Sequence, residues 1–176
     1  MTDWKNRPIA LVGLMGAGKS AVARVLAGRL GVPVVSLDEL LEREQGRSIS
    51  EMFATLGESA FRRLEAEMLA RARDSGAGVI DCGGGVVLLE ANRLLLRERC
   101  RTAWLEVDAA TAAARVGNGR TRPLLGTDEP IARLSALLAE RGELYAEVAN
   151  ARIPTTRRDP TEVAERVVAA LAEPPK

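Results

Sequence analysis

The sequence predicts an α/β domain in three layers around a central parallel sheet of about five strands. Two observations carry that expectation. Short apolar runs alternate along the chain with longer amphipathic stretches, and strands separated by helices pair in parallel through βαβ crossovers. The runs are also continuously apolar instead of alternating with polar residues, the pattern of strands buried on both faces.

The elements follow in order. "IALVG", residues 9–13, reads as the first strand, and the helix over 19–30 closes at Gly31, because glycine adopts the left-handed conformation of a helix end at no steric cost. "VPVVSL", 32–37, is the second strand. From 38 to 74 the pattern is helical, with a capping box in "SISE" at Ser48 to Glu51. "GVIDC", 78–82, is the third strand, before a helix over 89–99; "TAWLEV", 102–107, is the fourth, before a helix over 109–117. A long helical stretch begins near Pro130 and "ARIPT", 151–155, is the fifth strand. The last helix runs from Thr161, with Pro160 just before it and Val163, Val167 and Leu171 on one face. The tail "EPPK" is expected to fray. In "GNGRTRPLLGTDEP", Gly117 to Pro130, three glycines, two prolines and two arginines interrupt helical pattern on both sides. It reads as an ordinary surface connection or as a glycine-hinged lid.

The 176 residues suit one domain, 1–176, with a sizeable core. With 25 basic against 24 acidic residues the net charge is +1, so no electrostatic case exists for nucleic acid or a membrane surface as partner. Histidine is absent, which removes imidazole acid–base chemistry and histidine metal ligation. Cys82 and Cys100 lack C-x-x-C spacing, against a zinc ribbon, redox pair or disulfide scaffold and in favour of a reduced, cytoplasmic compartment. No apolar run approaches the ~20 residues that span a bilayer, and "MTDWKNRP" lacks the apolar core of a signal peptide.

Of the basic residues only Lys5, Lys19 and Lys176 are lysines, and Lys19 sits in "GLMGAGKS", Gly13 to Ser20. This G-x-x-x-x-G-K-S follows the first strand and opens the first helix, the context a phosphate-binding loop requires. Its backbone amides form an anion nest at a helix N-terminus, from Gly16 through Ala17, Gly18, Lys19 and Ser20 to Ala21. Lys19 can reach the β- and γ-phosphates of a bound nucleotide, and the Ser20 hydroxyl can ligate Mg²⁺. A nucleoside triphosphate follows; the second substrate does not. Asp38, after the second strand, is either a hydrogen-bond acceptor for a reacting hydroxyl or a helix N-cap. Arg62 and Glu65, three apart on a helix, read alone as surface charge support, and Arg141 as a solvated arginine. "VIDCGGG", Val79 to Gly85, ends an apolar pair on Asp81 and then removes every side chain, so something approaches that backbone closely.

Taken together, G-L-M-G-A-G-K-S, S-L-D, G-R-S-I-S-E-M-F-x(4)-G-E-x-x-F-R-x-x-E, G-G-G, R-P-L-L and R-x-x-L-Y resemble the shikimate kinase family in order and spacing, from Gly13 to about Pro160. The stretch from Gly46 to Glu65 is the most family-specific part. The resemblance implies a three-layer P-loop kinase fold of the nucleoside-monophosphate-kinase type. It also implies transfer of the ATP γ-phosphoryl group to the 3-hydroxyl of shikimate, a step of aromatic amino acid biosynthesis, by a monomer. By the same resemblance Arg62 and Arg141 hold the substrate carboxylate, Asp38 the reacting hydroxyl, and Gly84 makes a close backbone contact, a side chain there occupying the substrate's place. Residues 38–66 form the substrate-binding segment and 117–130 the lid, whose Arg122 meets the transferring phosphoryl. Lys19, Asp38 and Arg122 are thus the catalytic set, Glu65 orients Arg62, and Arg115 and Arg158 lie with Pro160 around the adenine.

The chain departs from the family at one place. The family usually shows D-x-D after the second strand, its first acid near Mg²⁺, whereas this chain reads Ser36-Leu37-Asp38. Asp81 ends the strand expected beside the first, where P-loop proteins commonly carry a metal-orienting aspartate. The expectation is that Ser20 binds Mg²⁺ directly and Asp81 orders its water shell; otherwise Asp81 hydrogen-bonds the P-loop or caps a turn. Competing readings are a kinase for gluconate or a nucleoside monophosphate, and a nucleotide-binding regulator that transfers no phosphate.

Overall fold

Five strands form one parallel sheet in a computed structural model that describes residues 7–116 and 129–172. The strands are β1 (Ile9–Val12), β2 (Val34–Ser36), β3 (Val79–Asp81), β4 (Arg101–Glu106) and β5 (Ala151–Pro154), in the order β2-β3-β1-β4-β5. Each neighbouring pair is parallel. Central β1 is buried along its whole length, which is why "IALV" shows no alternation. Successive side chains of a strand point to opposite faces, and here they divide between two cores. Ile9 and Leu11 join the apolar cluster formed with α1 (Lys19–Leu30), α6 (Ala109–Val116) and α8 (Pro160–Ala172). Ala10 and Val12 join the cluster on the other face, with α2 (Leu37–Gln45), α4 (Glu58–Asp74) and α5 (Glu90–Arg99). The longest helix, α7 (Pro130–Val148), serves both, Leu134 and Leu137 in the first cluster and Tyr145 and Val148 in the second.

The segment 38–74 differs most from expectation. It is three helices, α2, α3 (Ile49–Leu56) and α4, broken after Gly46 at φ 61° and at Gly57 at φ 76°. Only glycine turns the chain there without strain. Helix α2 starts at Leu37, directly off β2, so Asp38 lies in its first turn and not at a strand end. The N-cap is Ser36, whose hydroxyl accepts from the Glu39 amide at 3.4 Å, and not Asp38. The capping box of α3 forms as expected, with Glu51 N–H to Ser48 Oγ at 3.2 Å and Ser48 N–H to Glu51 Oε2 at 2.8 Å. Helix α8 includes Pro160 as its first residue, and the Asp159 carboxylate accepts from the amides of Thr161 and Glu162. Its Val163, Val167 and Leu171 are all buried.

Arg122, residues 117–128 of the expected lid and the tail "EPPK" lie outside the described residues. No described helix is long and apolar enough to cross a membrane.

Candidate active site

The loops that follow β1 and β3 lie side by side, a Cβ on Gly84 standing 3.5 Å from the Gly13 carbonyl oxygen, at the carboxyl ends of the strands, the usual place for ligands in open α/β sheets. After β1 the chain turns through Gly13 at φ 141° and Gly16 at φ 81°. Both glycines are demanded by packing as well as by conformation. A Cβ on Gly13 would collide with the Leu105 carbonyl of β4, and one on Gly16 would lie 2.6 Å from the Ala112 carbonyl of α6. The loop is therefore pressed flat on its neighbours. It delivers left-handed Gly18 as the N-cap of α1, which has no side-chain cap and no acid in its first turn, leaving the helix terminus to an anion. Lys19 is buried and folds back, Nζ donating to the carbonyls of Gly13 at 3.0 Å and Leu14 at 3.2 Å. Ser20 faces solvent.

Asp81 ends β3 beside Leu11 of β1 on one side and Ser36 of β2 on the other. It is 7% exposed. The strand adjacency expected from sequence holds, and Ser36 and Asp81 are direct cross-strand neighbours. Among the described residues no cluster of three acidic, cysteine or histidine side chains could hold a metal by itself.

Arg62 of α4 lies beside the packed rings of Phe53 in α3 and Phe61 in α4, which are 4.3 Å apart, its Cζ 5.5 Å from the Phe53 centroid and 5.2 Å from that of Phe61. Its Nη1 donates to Glu65 Oε2 at 2.8 Å and Nη2 to Glu58 Oε1 at 3.1 Å. Arg62 and Glu65 are 6% and 1% exposed and Arg141 is 3% exposed. The surface reading of the pair and the solvated reading of Arg141 are both overturned, because the helix face that carries them packs inward. Burial pushes the Glu65 carboxyl above its ordinary range; Arg62 and Arg141 pull it down and Asp38 pushes it further up. Asp38, Arg62 and Arg141 thus all act on one buried carboxylate. The Nε of Arg62 is buried without a hydrogen-bond partner among the described residues, and that of Arg141 lies 3.5 Å from Glu140 Oε1.

The three glycines have a different explanation from the one expected. A Cβ on Gly85 would collide with the Arg62 guanidinium, and one on Gly83 would lie 2.7 Å from Glu65 Oε1 and 3.1 Å from Asp38 Oδ1. These two make way for the protein's own charged side chains. Gly84 alone has ordinary room, its nearest neighbours being the Gly13 carbonyl oxygen at 3.5 Å, the Met15 nitrogen at 3.6 Å and the Tyr145 hydroxyl at 3.8 Å from an added Cβ. None of the three has a positive φ, so at Gly83 and Gly85 close approach, not backbone freedom, requires glycine.

Arg115, Arg158 and Pro160 line a cavity of about 230 Å³ with Ala17, Gly18 and Ala21 of the P-loop end. Arg115 donates to the Thr155 carbonyl at 2.8 Å and to the Gly16 carbonyl at 3.3 Å, tying the β5–α8 turn to the loop. Arg158 donates to the Pro154 carbonyl at 3.1 Å. The sequence reading missed Tyr145, whose hydroxyl donates to the Gly84 carbonyl. Its signal was its place four residues after Arg141, one turn along the same helix face.

Comparison with known proteins agrees with this arrangement. A family model described as "Shikimate kinase" matches residues 15–172. The shikimate kinase of Symbiobacterium thermophilum is 46% identical over 167 residues, covering 94% of this chain and 96% of that protein. That of Corynebacterium efficiens is 42% identical, covering 95% and 98%. The solved structure of shikimate kinase from Acinetobacter baumannii in complex with shikimate superposes with a TM-score of 0.91 at 33% identity, over 96% of this chain and 95% of that one. A gluconokinase from Sinorhizobium meliloti, at 18% identity and a TM-score of 0.53, shares the fold alone. A family model matched from residue 15 to residue 172, with relatives 46% and 42% identical along nearly the whole chain, places this protein in the shikimate kinase family.

Proposed function

We propose that this chain transfers the γ-phosphoryl group of ATP to the 3-hydroxyl of shikimate, giving shikimate 3-phosphate for aromatic amino acid biosynthesis. The observation that carries the reading is the burial of Arg62 and Arg141, 6% and 3% exposed, with Arg62, Glu65 and Asp38 packed against the glycine loop. Shikimate is a small carboxylate bearing hydroxyls, and guanidinium groups are suited to such an acid. Arg62 and Arg141 bind the carboxylate, Glu65 holds Arg62 in place, and Gly84 leaves the room the ring needs. Asp38 orients the 3-hydroxyl and takes its proton late, since a largely dissociative transfer needs little early base catalysis.

On ATP binding Lys19 exchanges the Gly13 and Leu14 carbonyls for β- and γ-phosphate oxygens, while Arg115, Arg158 and Pro160 enclose the adenine. Arg122, on the lid proposed for 117–130, meets the phosphoryl group; its support is the R-P-L-L pattern. The donor set fits Mg²⁺: Ser20 and Asp81 are hard oxygen donors and too few to cage the ion, which suits a metal that keeps several waters. Bound there, Mg²⁺ neutralises charge on the phosphates. Asp81 takes over, one strand away, the place of the acid absent at Ser36. Two buried free thiols suit a reducing compartment, and the reading takes residues 1–176 as one domain and a cytoplasmic monomer. The test is a coupled ADP-release assay offered shikimate, gluconate or a nucleoside monophosphate in turn. Shikimate alone is expected to stimulate release, and stimulation by either competitor instead overturns the reading.

A further inference from the structure

Tyr145 lies on α7 one turn beyond Arg141 and is fully buried. Its ring packs on Trp104, centroids 5.8 Å apart. Burial pushes its hydroxyl up to about 12, against the pull of Arg141, which hydrogen-bonds it, and the hydroxyl donates to the Gly84 carbonyl. That carbonyl belongs to the glycine with room beside it. An added Cβ on Gly84 would stand 3.5 Å from the Gly13 carbonyl oxygen, the same oxygen to which Lys19 Nζ donates at 3.0 Å.

A peptide is planar and points its C=O and N–H in opposite directions, and no peptide bond here is cis among the described residues. Holding the Gly84 carbonyl toward α7 therefore aims the Gly85 N–H away from α7. The amides of Gly84 and Gly85 have no backbone acceptor among the described residues. A glycine loop free to rotate could instead turn a carbonyl oxygen toward an anionic substrate, which would repel it.

We propose that Tyr145 is a positioning residue for the acceptor substrate: by holding the Gly84 carbonyl it makes the glycine loop present N–H donors, not C=O, to the bound acid. The proposal rests on the shikimate reading above. It differs from an ordinary packing role because the hydroxyl, not the ring, carries it.

The test is Tyr145→Phe, which keeps the ring on Trp104 and deletes the hydroxyl, with Tyr145→Leu as the variant that loses both. Shikimate affinity is measured by calorimetry without nucleotide, both KM values and kcat by steady-state kinetics, and Tm by calorimetric melting. Expected for Tyr145→Phe is a shikimate Kd and KM raised about three- to tenfold, as one lost hydrogen bond produces, with the KM for ATP and kcat within about twofold. Unchanged shikimate affinity, whether Tm falls or not, overturns the proposal, as do equal rises in both KM values. Tyr145→Leu lowering Tm while weakening shikimate no more than Tyr145→Phe is the accompanying expectation. The wild-type chain keeps the two readings apart. If it neither binds nor phosphorylates shikimate, the proposed function fails. If it does both and Tyr145→Phe matches it, only the role of Tyr145 fails.

Discussion

Arg62 and Arg141 are proposed for the same role yet should not respond alike to truncation. Arg141→Ala removes a guanidinium whose nearest acid is Glu140, 3.5 Å from its Nε and half exposed. Shikimate affinity is expected to fall by about 1.5–3 kcal/mol, the worth of a hydrogen bond to a charged group. Arg62→Ala strands Glu65, which is almost wholly buried, and an uncompensated buried charge costs about 3–5 kcal/mol. A large fall in Tm should therefore accompany its loss of binding. Calorimetry that finds shikimate affinity intact in either variant removes that arginine from the site. The glycines separate by the same logic. Gly84→Ala has room in the protein, so Tm should hold while shikimate binding is lost; Gly85→Ala drives into the Arg62 guanidinium and should lower both. Gly84→Ala with wild-type affinity would show that no substrate passes there.

At the scale of elements, the strand ends decide where acids can act. Ser36 is spent as the N-cap of α2, and the carboxylate at the same level of the sheet is its neighbour Asp81. Asp81→Asn is expected to raise the Mg²⁺ concentration for half-maximal rate and to depress turnover, with shikimate affinity nearly intact. A wild-type Mg²⁺ titration in that variant would return Asp81 to a merely structural role. For the proposed lid, Arg122→Ala should cut kcat by ~10³-fold, as for arginine fingers, with little change in either KM; a loss under tenfold removes Arg122 from the phosphoryl-transfer site. The strands and the P-loop were legible because continuous apolar runs and a glycine-lysine signature are local patterns. The breaks in 38–74 were harder to read, since Gly46 and Gly57 look like tolerated helix glycines until packing decides. The burial of Arg62, Glu65 and Arg141 was illegible for the same reason. An arginine on a helix is solvated by default, and only the tertiary face shows otherwise. Tyr145 escaped because its partner is a backbone carbonyl 61 residues away.

For the whole molecule, buried acids that stay protonated set an alkaline limit. Burial raises the Cys100 thiol from 9.0 to about 12 and the Tyr145 hydroxyl from 10.0 to about 12. Between those values the folded state holds protons that the unfolded chain has released, so stability falls as pH rises. It should be flat below pH 9, then decline by roughly 1.4 kcal/mol per pH unit for each such group. Urea unfolding at pH 8, 9 and 10.5 checks this, and Cys100→Ala should make the decline shallower. An unchanged slope would assign the loss to other groups. The account as a whole stands on one chemical event, the joining of a phosphoryl group to a particular hydroxyl of a small acid bound between Arg62 and Arg141. Phosphorus and proton NMR of the product mixture from this chain, ATP, Mg²⁺ and shikimate observes that event. The account predicts one new phosphate monoester coupled to the ring proton at the 3-position, formed with an equal amount of ADP. Inorganic phosphate in place of an ester, or an ester on another hydroxyl, would contradict it.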